Sequence, residues 1–250
     1  MNNQKALTNC LKSLHLPSIR ESFLEEAEHA RRESLSYEEY LLNLMEHELE
    51  DRAHRKVIRY LRESKLPLEK TLEVFDRGRL SAVENQKVEA LLDGKFLGRC
   101  ENVLAFGGPG GGKTHLLAAI GIELIHKGYR VRFYSCSLLV QELLIAKRDM
   151  KLSRLLFKLS KYDALIIDDI GYVQQSREEM EVLFTLFANK YERGSLLLTS
   201  NLQFSGWEKI FKDPMTTAAA IDRLVHHSVI LELNLPSYRL EEFKKKRANS

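Results

Sequence analysis

The sequence predicts an α/β protein: a five-stranded parallel sheet between helices, organised around a phosphate-binding loop and preceded by a small all-helical domain. Three observations carry this expectation. From Glu101 onward, short apolar runs alternate with helical stretches, the pattern of a parallel sheet covered by helices. Between the first run and the first of those helices stands a segment of the form G-x-x-x-x-G-K-[ST]. Before about residue 70 the periodicity is helical only.

The expected domains are residues 1–70, helical, and residues 71–250, the α/β unit. In the first, Ser18 with Glu21 and Ser36 with Glu39 have the spacing of a capping box, in which hydroxyl and carboxylate each accept from N–H groups at a helix start. The second pair opens a long helix over 37–65, with Leu41, Leu44, Met45, Leu49, Val57, Ile58 and Leu61 on its expected buried side and Pro67 ending it. Residues 71–100 form a lead-in containing a helix over 81–92. Strands are expected at 103–106, 130–134, 164–168, 196–200 and 229–233. Helices are expected at 113–127, at 137–160 with a break near Asp149, at 177–193 and at 217–225.

Bulk properties narrow the classes. With 250 residues and 44% hydrophobic content, the chain can bury a substantial core. Lys+Arg 38 against Asp+Glu 35 leaves +3, so any nucleic-acid surface must come from local clustering. Cys10, Cys100 and Cys136 lie far apart and form no C-x-x-C, which argues against a disulfide framework or a zinc site and for reduced thiols. No run approaches the ~20 apolar residues of a membrane span, and residues 1–10 lack the apolar core of a signal peptide. A cytoplasmic protein without membrane association is expected.

The loop is Gly107-Gly108-Pro109-Gly110-Gly111-Gly112-Lys113-Thr114. Glycines let backbone N–H groups turn inward around phosphates, and the following helix start adds a favourable dipole. Lys113 is then placed to reach the β- and γ-phosphates, and the Thr114 hydroxyl to ligate Mg²⁺. A second element, Leu165-Ile166-Ile167-Asp168-Asp169, is an apolar strand ending in two acids. It would set Asp168 beside the metal and Asp169 where a carboxylate polarises the attacking water. Two such acids can also simply cap the next helix. The strand Leu196-Leu197-Leu198-Thr199-Ser200 ends in Asn201, which lies near the γ-phosphate if that strand neighbours the other two.

Beyond these generic motifs, the chain carries Leu35-Ser36-Tyr37-Glu38-Glu39-Tyr40-Leu41, a charged helix over 48–62, Lys65-Leu66-Pro67, Gly112-Lys113-Thr114-His115 and Ile167-Asp168-Asp169-Ile170-Gly171-Tyr172. Further on come Thr199-Ser200-Asn201, Phe211-Lys212-Asp213, Ala220-Ile221-Asp222-Arg223-Leu224-Val225-His226-His227-Ser228 and Ser237-Tyr238-Arg239-Leu240. Together they resemble the initiator and helicase-loader branch of AAA+ ATPases, and within it the IstB-type helper ATPases of bacterial insertion-sequence transposons.

The resemblance implies a P-loop AAA+ core that binds ATP with Mg²⁺, the nucleotide held by the loop and His115, and hydrolysis stimulated by DNA and by self-association. It implies Asp169 and Asn201 around the attacking water, although most AAA+ proteins carry Glu where Asp169 stands. It further implies Arg223 as an arginine finger reaching a neighbouring subunit's ATP. Arg239 becomes a candidate nucleotide sensor, preceded by Leu235-Pro236 where a glycine-containing turn is usual. A replicative helicase loader is the rival reading, and the amino-terminal residues favour a transposase as partner. A metabolic P-loop kinase is disfavoured, because it would leave the Arg223 block without a role.

Lys147, Lys151, Arg154, Lys158 and Lys161 recur at steps of four, three, four and three, as on one helix face backed by Leu152, Leu155, Leu156 and Leu159. Such a row is often a solvated face. In the initiator branch, the insertion over 137–160 carries a DNA-contacting helix, so the resemblance makes Lys147, Lys151, Arg154 and Lys158 candidates for duplex DNA binding.

Overall fold

The structure is a computed structural model that describes residues 2–171, 176–203, 206–207 and 214–238. Its chain divides into two compact units, Met1–Arg59 and Tyr60–Ser250, with the boundary inside one long helix.

The first unit holds α1 (Asn2–Ser13), α2 (Pro17–Glu33) and most of α3 (Tyr37–Ser64). Its core is Leu11, Ile19, Phe23 and Leu44, with Leu16 and Tyr40 packed against them. The expected capping box at the start of α3 is present: the Ser36 N–H donates to Glu39 Oε2 at 2.8 Å and the Glu39 N–H to Ser36 Oγ at 3.2 Å. The one expected at Ser18 is not. Helix α2 starts a residue earlier with Pro17, whose missing N–H costs nothing in a first turn.

The N–H of Ser18 donates instead to Glu48 Oε2 at 2.8 Å, and that of Ile19 to the same oxygen at 3.2 Å. Arg52 Nε closes the set on Glu48 Oε1 at 2.7 Å, which holds the carboxyl pKa below its usual value against the opposing effect of burial. This buried acid corrects the expected inner face of α3. Of the seven apolar candidates only Leu44 is buried, while Leu41, Met45, Leu49 and Ile58 are 53%, 41%, 65% and 54% exposed. The orphan N–H groups of α2 need an acceptor, and the Leu44–Glu48 side of α3 supplies it.

In the second unit, a short 3₁₀ turn (Arg77–Arg79), α4 (Ala82–Leu92) and α5 (Lys95–Gly98) lead into the α/β unit. There follow β1 (Asn102–Phe106), α6 (Lys113–His126), β2 (Val131–Ser135), α7 (Cys136–Arg148), α8 (Leu152–Ser160), β3 (Ala164–Asp168), α9 (Arg177–Lys190), β4 (Ser195–Ser200), α10 (Pro214–Val225) and β5 (Ser228–Glu232). The five strands pair in the order β2-β3-β4-β1-β5, all parallel, so the expected fold class is observed.

Strands β1 and β4 are buried along their whole length, as the unbroken apolar runs require of strands covered on both sides. Alternate side chains serve the two faces. Leu104, Phe106, Leu165, Ile167, Leu196 and Leu198 join one core with residues of α7, α8, α9 and α10. Helix α6 covers the other face, where Gly121 lies against Ile166. Helix α9 starts at an unforeseen capping box, Ser176 with Glu179. The expected break near Asp149 falls at Met150, a left-handed residue (φ 57°) between α7 and α8.

Candidate functional site

Because the sheet is parallel and β4 lies between β1 and β3, the carboxyl ends of these three strands meet at one edge, where open α/β sheets bind ligands. The loop leaves β1 there and enters α6. Gly112, at φ 86°, makes that transition, and a Cβ on it would stand 2.9 Å from the Phe75 ring. Gly110, at φ 78°, has no room for a Cβ beside the Ser237 hydroxyl. Lys113 is 9% exposed and donates from Nζ to the carbonyls of Gly107 (2.7 Å) and Gly108 (2.9 Å), so its ammonium is held over the loop.

Beside the loop opens a cavity of about 400 Å³ lined by Phe75, Arg79, Gly111, Lys113, His115 and Tyr238, among others. His115 Nε2 lies 2.9 Å from the Thr71 carbonyl, and its ring meets Phe75 edge-on at 5.3 Å. Arg79 donates to the Pro236 carbonyl at 2.7 Å and stands 5.6 Å from the Tyr238 ring centre, while the Tyr238 N–H donates to Gly110 O at 3.1 Å. The cavity combines the glycine loop and the Lys113 cation with the aromatic residues Phe75 and Tyr238, a lining that suits a nucleotide. Sequence reasoning missed Phe75, Arg79 and Tyr238 as its walls. The available signals were an aromatic residue and an arginine in a polar lead-in, and for Tyr238 the Ser237-Tyr238-Arg239-Leu240 block.

Asp168 and Thr114 come together as expected, the Thr114 hydroxyl donating to Asp168 Oδ1 at 2.8 Å. The same oxygen accepts from the Thr199 hydroxyl at 2.6 Å, and Thr199 Oγ1 accepts from the Asp169 N–H at 2.7 Å. Asp169 is left-handed (φ 69°), and its carboxyl pKa is raised by burial and by the charge of Asp168, with Lys113 opposing. Asn201 sits at the same edge beside Gly171, its Oδ1 buried and without a hydrogen-bond partner among the described residues. No group of three or more His, Cys, Asp and Glu able to hold a metal exists among the described residues. The adjacent Thr114 hydroxyl and Asp168 carboxylate do fit Mg²⁺, which binds through one or two hard protein oxygens plus phosphate.

Arg223 lies at the opposite edge, in the last turn of α10 before β5. Its guanidinium stacks 5.0 Å from the Phe184 ring centre. The helix end is tied to the sheet by Asn102, whose Nδ2 donates to Leu224 O at 3.0 Å and whose Oδ1 accepts the Leu196 N–H at 2.9 Å. Arg223 and the buried Lys190 both line a cavity of about 250 Å³ at this edge.

The basic row does not lie on a single helix. Met150 separates Lys147, on α7, from Arg154 and Lys158, on α8, with Lys151 at the junction. Lys147 pairs with Glu181 at 2.9 Å and Lys151 with Asp149 at 3.1 Å. Lys151, Arg154, Lys158 and Lys161 line a groove of about 600 Å³ between the two helices, with Leu156 and Leu159 buried behind α8. Arg239, Tyr172, the Phe211-Lys212-Asp213 block and the basic tail from Lys244 to Arg247 fall outside the described residues. Among the described residues, no helix is long and apolar enough to cross a membrane.

Residues 9–248 match the family described as IstB-like ATP binding protein. An insertion-sequence ATP-binding protein of Sinorhizobium fredii is 45% identical over 92% of this chain and 77% of its own length. The ATP-binding protein of insertion sequence IS5376 from Geobacillus stearothermophilus is 38% identical over 92% of this chain and 91% of its own. Among solved structures, AMPPCP-bound DnaA from Aquifex aeolicus superposes with a TM-score of 0.58 at 23% identity, covering 75% of this chain and 57% of that one, and so shares its fold over part of its length.

Proposed function

The chain belongs to the IstB-like ATP binding protein family, and from that premise we propose that it is an ATPase whose subunits assemble on duplex DNA and assist a transposase in choosing and engaging its target. ATP is held by residues 107–115, with its base toward Phe75 and Tyr238 and its phosphates under Lys113. Thr114 and Asp168 hold Mg²⁺, which when bound neutralises charge on the β- and γ-phosphates. Asp169 takes the proton of the attacking water, and Asn201 orients that water. The raised pKa of Asp169 moves the carboxylate toward the working pH, where a general base is most effective. The names of relatives that cover nearly the whole chain refer to insertion sequences, which supports a transposase rather than a replicative helicase as partner.

One observation carries the assembly reading. The loop follows Phe106, which pairs with Glu232, whereas Arg223 precedes Ser228, which pairs with Asn102. Four residue steps of strand, about 13 Å at 3.3 Å per residue, separate the two edges. Each subunit thus presents a pocket at one edge and a finger at the other, and a junction between neighbours unites them. An arginine finger contributes on the order of 10³ to 10⁵ in rate. Lys113→Ala, with an intact finger, and Arg223→Ala, with an intact pocket, should therefore each be nearly inactive, and mixing them on DNA should restore part of the hydrolysis. Wild-type turnover by Arg223→Ala alone, or no recovery on mixing, sinks the in-trans site.

A further inference from the structure

At the carboxyl ends of β3 and β4 the ladder between these strands stops one step before the acids. Paired residues run from Ala164 with Ser195 to Ile167 with Leu198, and the next pair would be Asp168 with Thr199. Past that point Thr199, still paired with Ala105 of β1, makes three bonds to the end of β3, its carbonyl accepting one residue beyond the ladder register. Its hydroxyl donates to Asp168 Oδ1 at 2.6 Å and accepts the Asp169 N–H at 2.7 Å, and its carbonyl accepts the Ile170 N–H at 3.0 Å. Thr199 is 1% exposed, so water does not compete for these groups. Asp169 between them adopts φ 69°, a left-handed conformation uncommon for non-glycine residues and tolerated by aspartate better than by most.

We infer that Thr199 is a positioning residue for both acids: its single hydroxyl fixes the rotamer of Asp168 and, through the Asp169 N–H, the backbone turn that aims the Asp169 carboxylate. Asp168 Oδ1 takes two donors, Thr114 and Thr199. Under the reading above, the Thr114 oxygen would also face the metal through a lone pair while its proton stays on Asp168. Of the two donors, only Thr199 also holds the Asp169 N–H, so it alone couples the two acids. A threonine suits the task, because a single hydroxyl oxygen supplies both the proton that the carboxylate accepts and a lone pair that the N–H donates to. The inference rests on the proposed roles of Asp168 and Asp169.

The test uses the full chain with Thr199→Val, which keeps the shape and removes the hydroxyl, and Thr199→Ser, which keeps the hydroxyl and removes a methyl group. Binding of a fluorescent ATP analogue is titrated without Mg²⁺ and over a range of Mg²⁺ concentrations, and steady-state hydrolysis is measured beside it. Partners that orient metal ligands typically contribute 10- to 100-fold to metal affinity or activity. Thr199→Val should accordingly need about 10-fold or more extra Mg²⁺ for half-maximal tightening of nucleotide binding. Its kcat should fall with KM little changed, and its Mg²⁺-free binding should match wild type. Thr199→Ser should behave as wild type in all three. Wild-type Mg²⁺ dependence in Thr199→Val overturns the inference, and so does a Thr199→Ser protein as defective as the valine variant, because packing and not the hydroxyl would then matter. The binding titration does not depend on turnover, so a wild-type protein that hydrolyses no ATP would refute the ATPase reading while leaving this test intact.

Discussion

Replacing Lys190 by Met should stabilise the α/β unit near neutral pH and should do so less as the pH rises. The Lys190 side chain is 1% exposed and donates to the Tyr162 carbonyl at 2.6 Å. Burial lowers its pKa from 10.5 to about 8, with Asp163 and then Cys100 opposing the change. That lowering corresponds to about 3 kcal/mol, at about 1.4 kcal/mol per pH unit. The folded protein holds this proton more weakly than the unfolded chain. The penalty is therefore full below about pH 8, fades between about 8 and 10.5, and vanishes above. Methionine keeps an unbranched apolar stem but loses the bond that the charged ammonium makes to Tyr162, at a cost of about 1.5–3 kcal/mol. A net gain of at most about 1.5 kcal/mol is expected at pH 7, turning to a loss of about 1 kcal/mol above pH 10.5, where the lost bond is that of a neutral amine. Urea unfolding of both proteins at several pH values, followed through Trp207, the sole tryptophan and a member of the same unit's core, measures the difference. Other groups titrate in this range, and subtracting the two curves removes them. A difference that stays constant from pH 7 to pH 10 would refute the argument.

Four further outcomes follow. Lys113→Ala should abolish tight nucleotide binding while the apolar strands keep the fold, so unchanged affinity in a titration with fluorescent nucleotide would place the site elsewhere. Asp169→Asn should bind ATP and Mg²⁺ normally but hydrolyse slowly, since an amide cannot take up a proton. Assemblies on DNA should then persist longer, and wild-type turnover would remove Asp169 from the mechanism. The same reasoning sets a pH dependence. Because the Asp169 pKa is raised in the free protein, wild-type kcat/KM, which reports the free enzyme, should begin to fall on acidification at a higher pH than an ordinary aspartate would give, and Asp169→Asn should lack that limb. Changing Lys147, Lys151, Arg154 and Lys158 together to Ala should weaken DNA binding at every sequence and flatten its salt dependence, by roughly 0.9 in log–log slope for each phosphate that is no longer neutralised. An unaltered slope would make the row an ordinary solvated face.

The sequence is most legible where one physical requirement fixes the residue type. Gly110 and Gly112 stand where a Cβ would meet Ser237 and Phe75, so the loop declares itself. Strands buried on both faces read as unbroken apolar runs, and each expected strand lies within one residue of its observed bounds. Legibility fails where a polar residue does what an apolar one usually does. Glu48 reads as part of a charged helix, yet it is 3% exposed because the start of α2 needs an acceptor. Thr199 reads as part of a motif, and its bonds to two carboxylate residues depend on a ladder that ends one step early. The break at Met150 is visible in the sequence, but its consequence for the basic row is not, because side-chain spacing continues across a turn that redirects the helix axis. Phe75 and Arg79 reach the loop from a lead-in whose course no local periodicity encodes.

A single subunit has no inexpensive way to complete its own site if Arg223 is the finger. Bringing α10 to the loop would require β5 to leave or slide along β1, and the two are paired from Asn102 with Ser228 to Phe106 with Glu232. Ladder bonds contribute about 1 kcal/mol each, so breaking this edge costs several kcal/mol before burial is counted. Leu231 is fully buried, and removing a leucine from a core costs about 2–5 kcal/mol more. Asn102, itself 7% exposed, would also surrender its Nδ2 bond to the Leu224 carbonyl and its N–H bond to the His227 carbonyl. The sum approaches the whole stability of a typical domain, about 5–15 kcal/mol. A neighbouring copy supplies the same guanidinium with every one of these interactions intact. Self-association is thus the route that the sheet leaves open, and a DNA duplex that aligns successive subunits would raise their local concentration without asking any of them to deform.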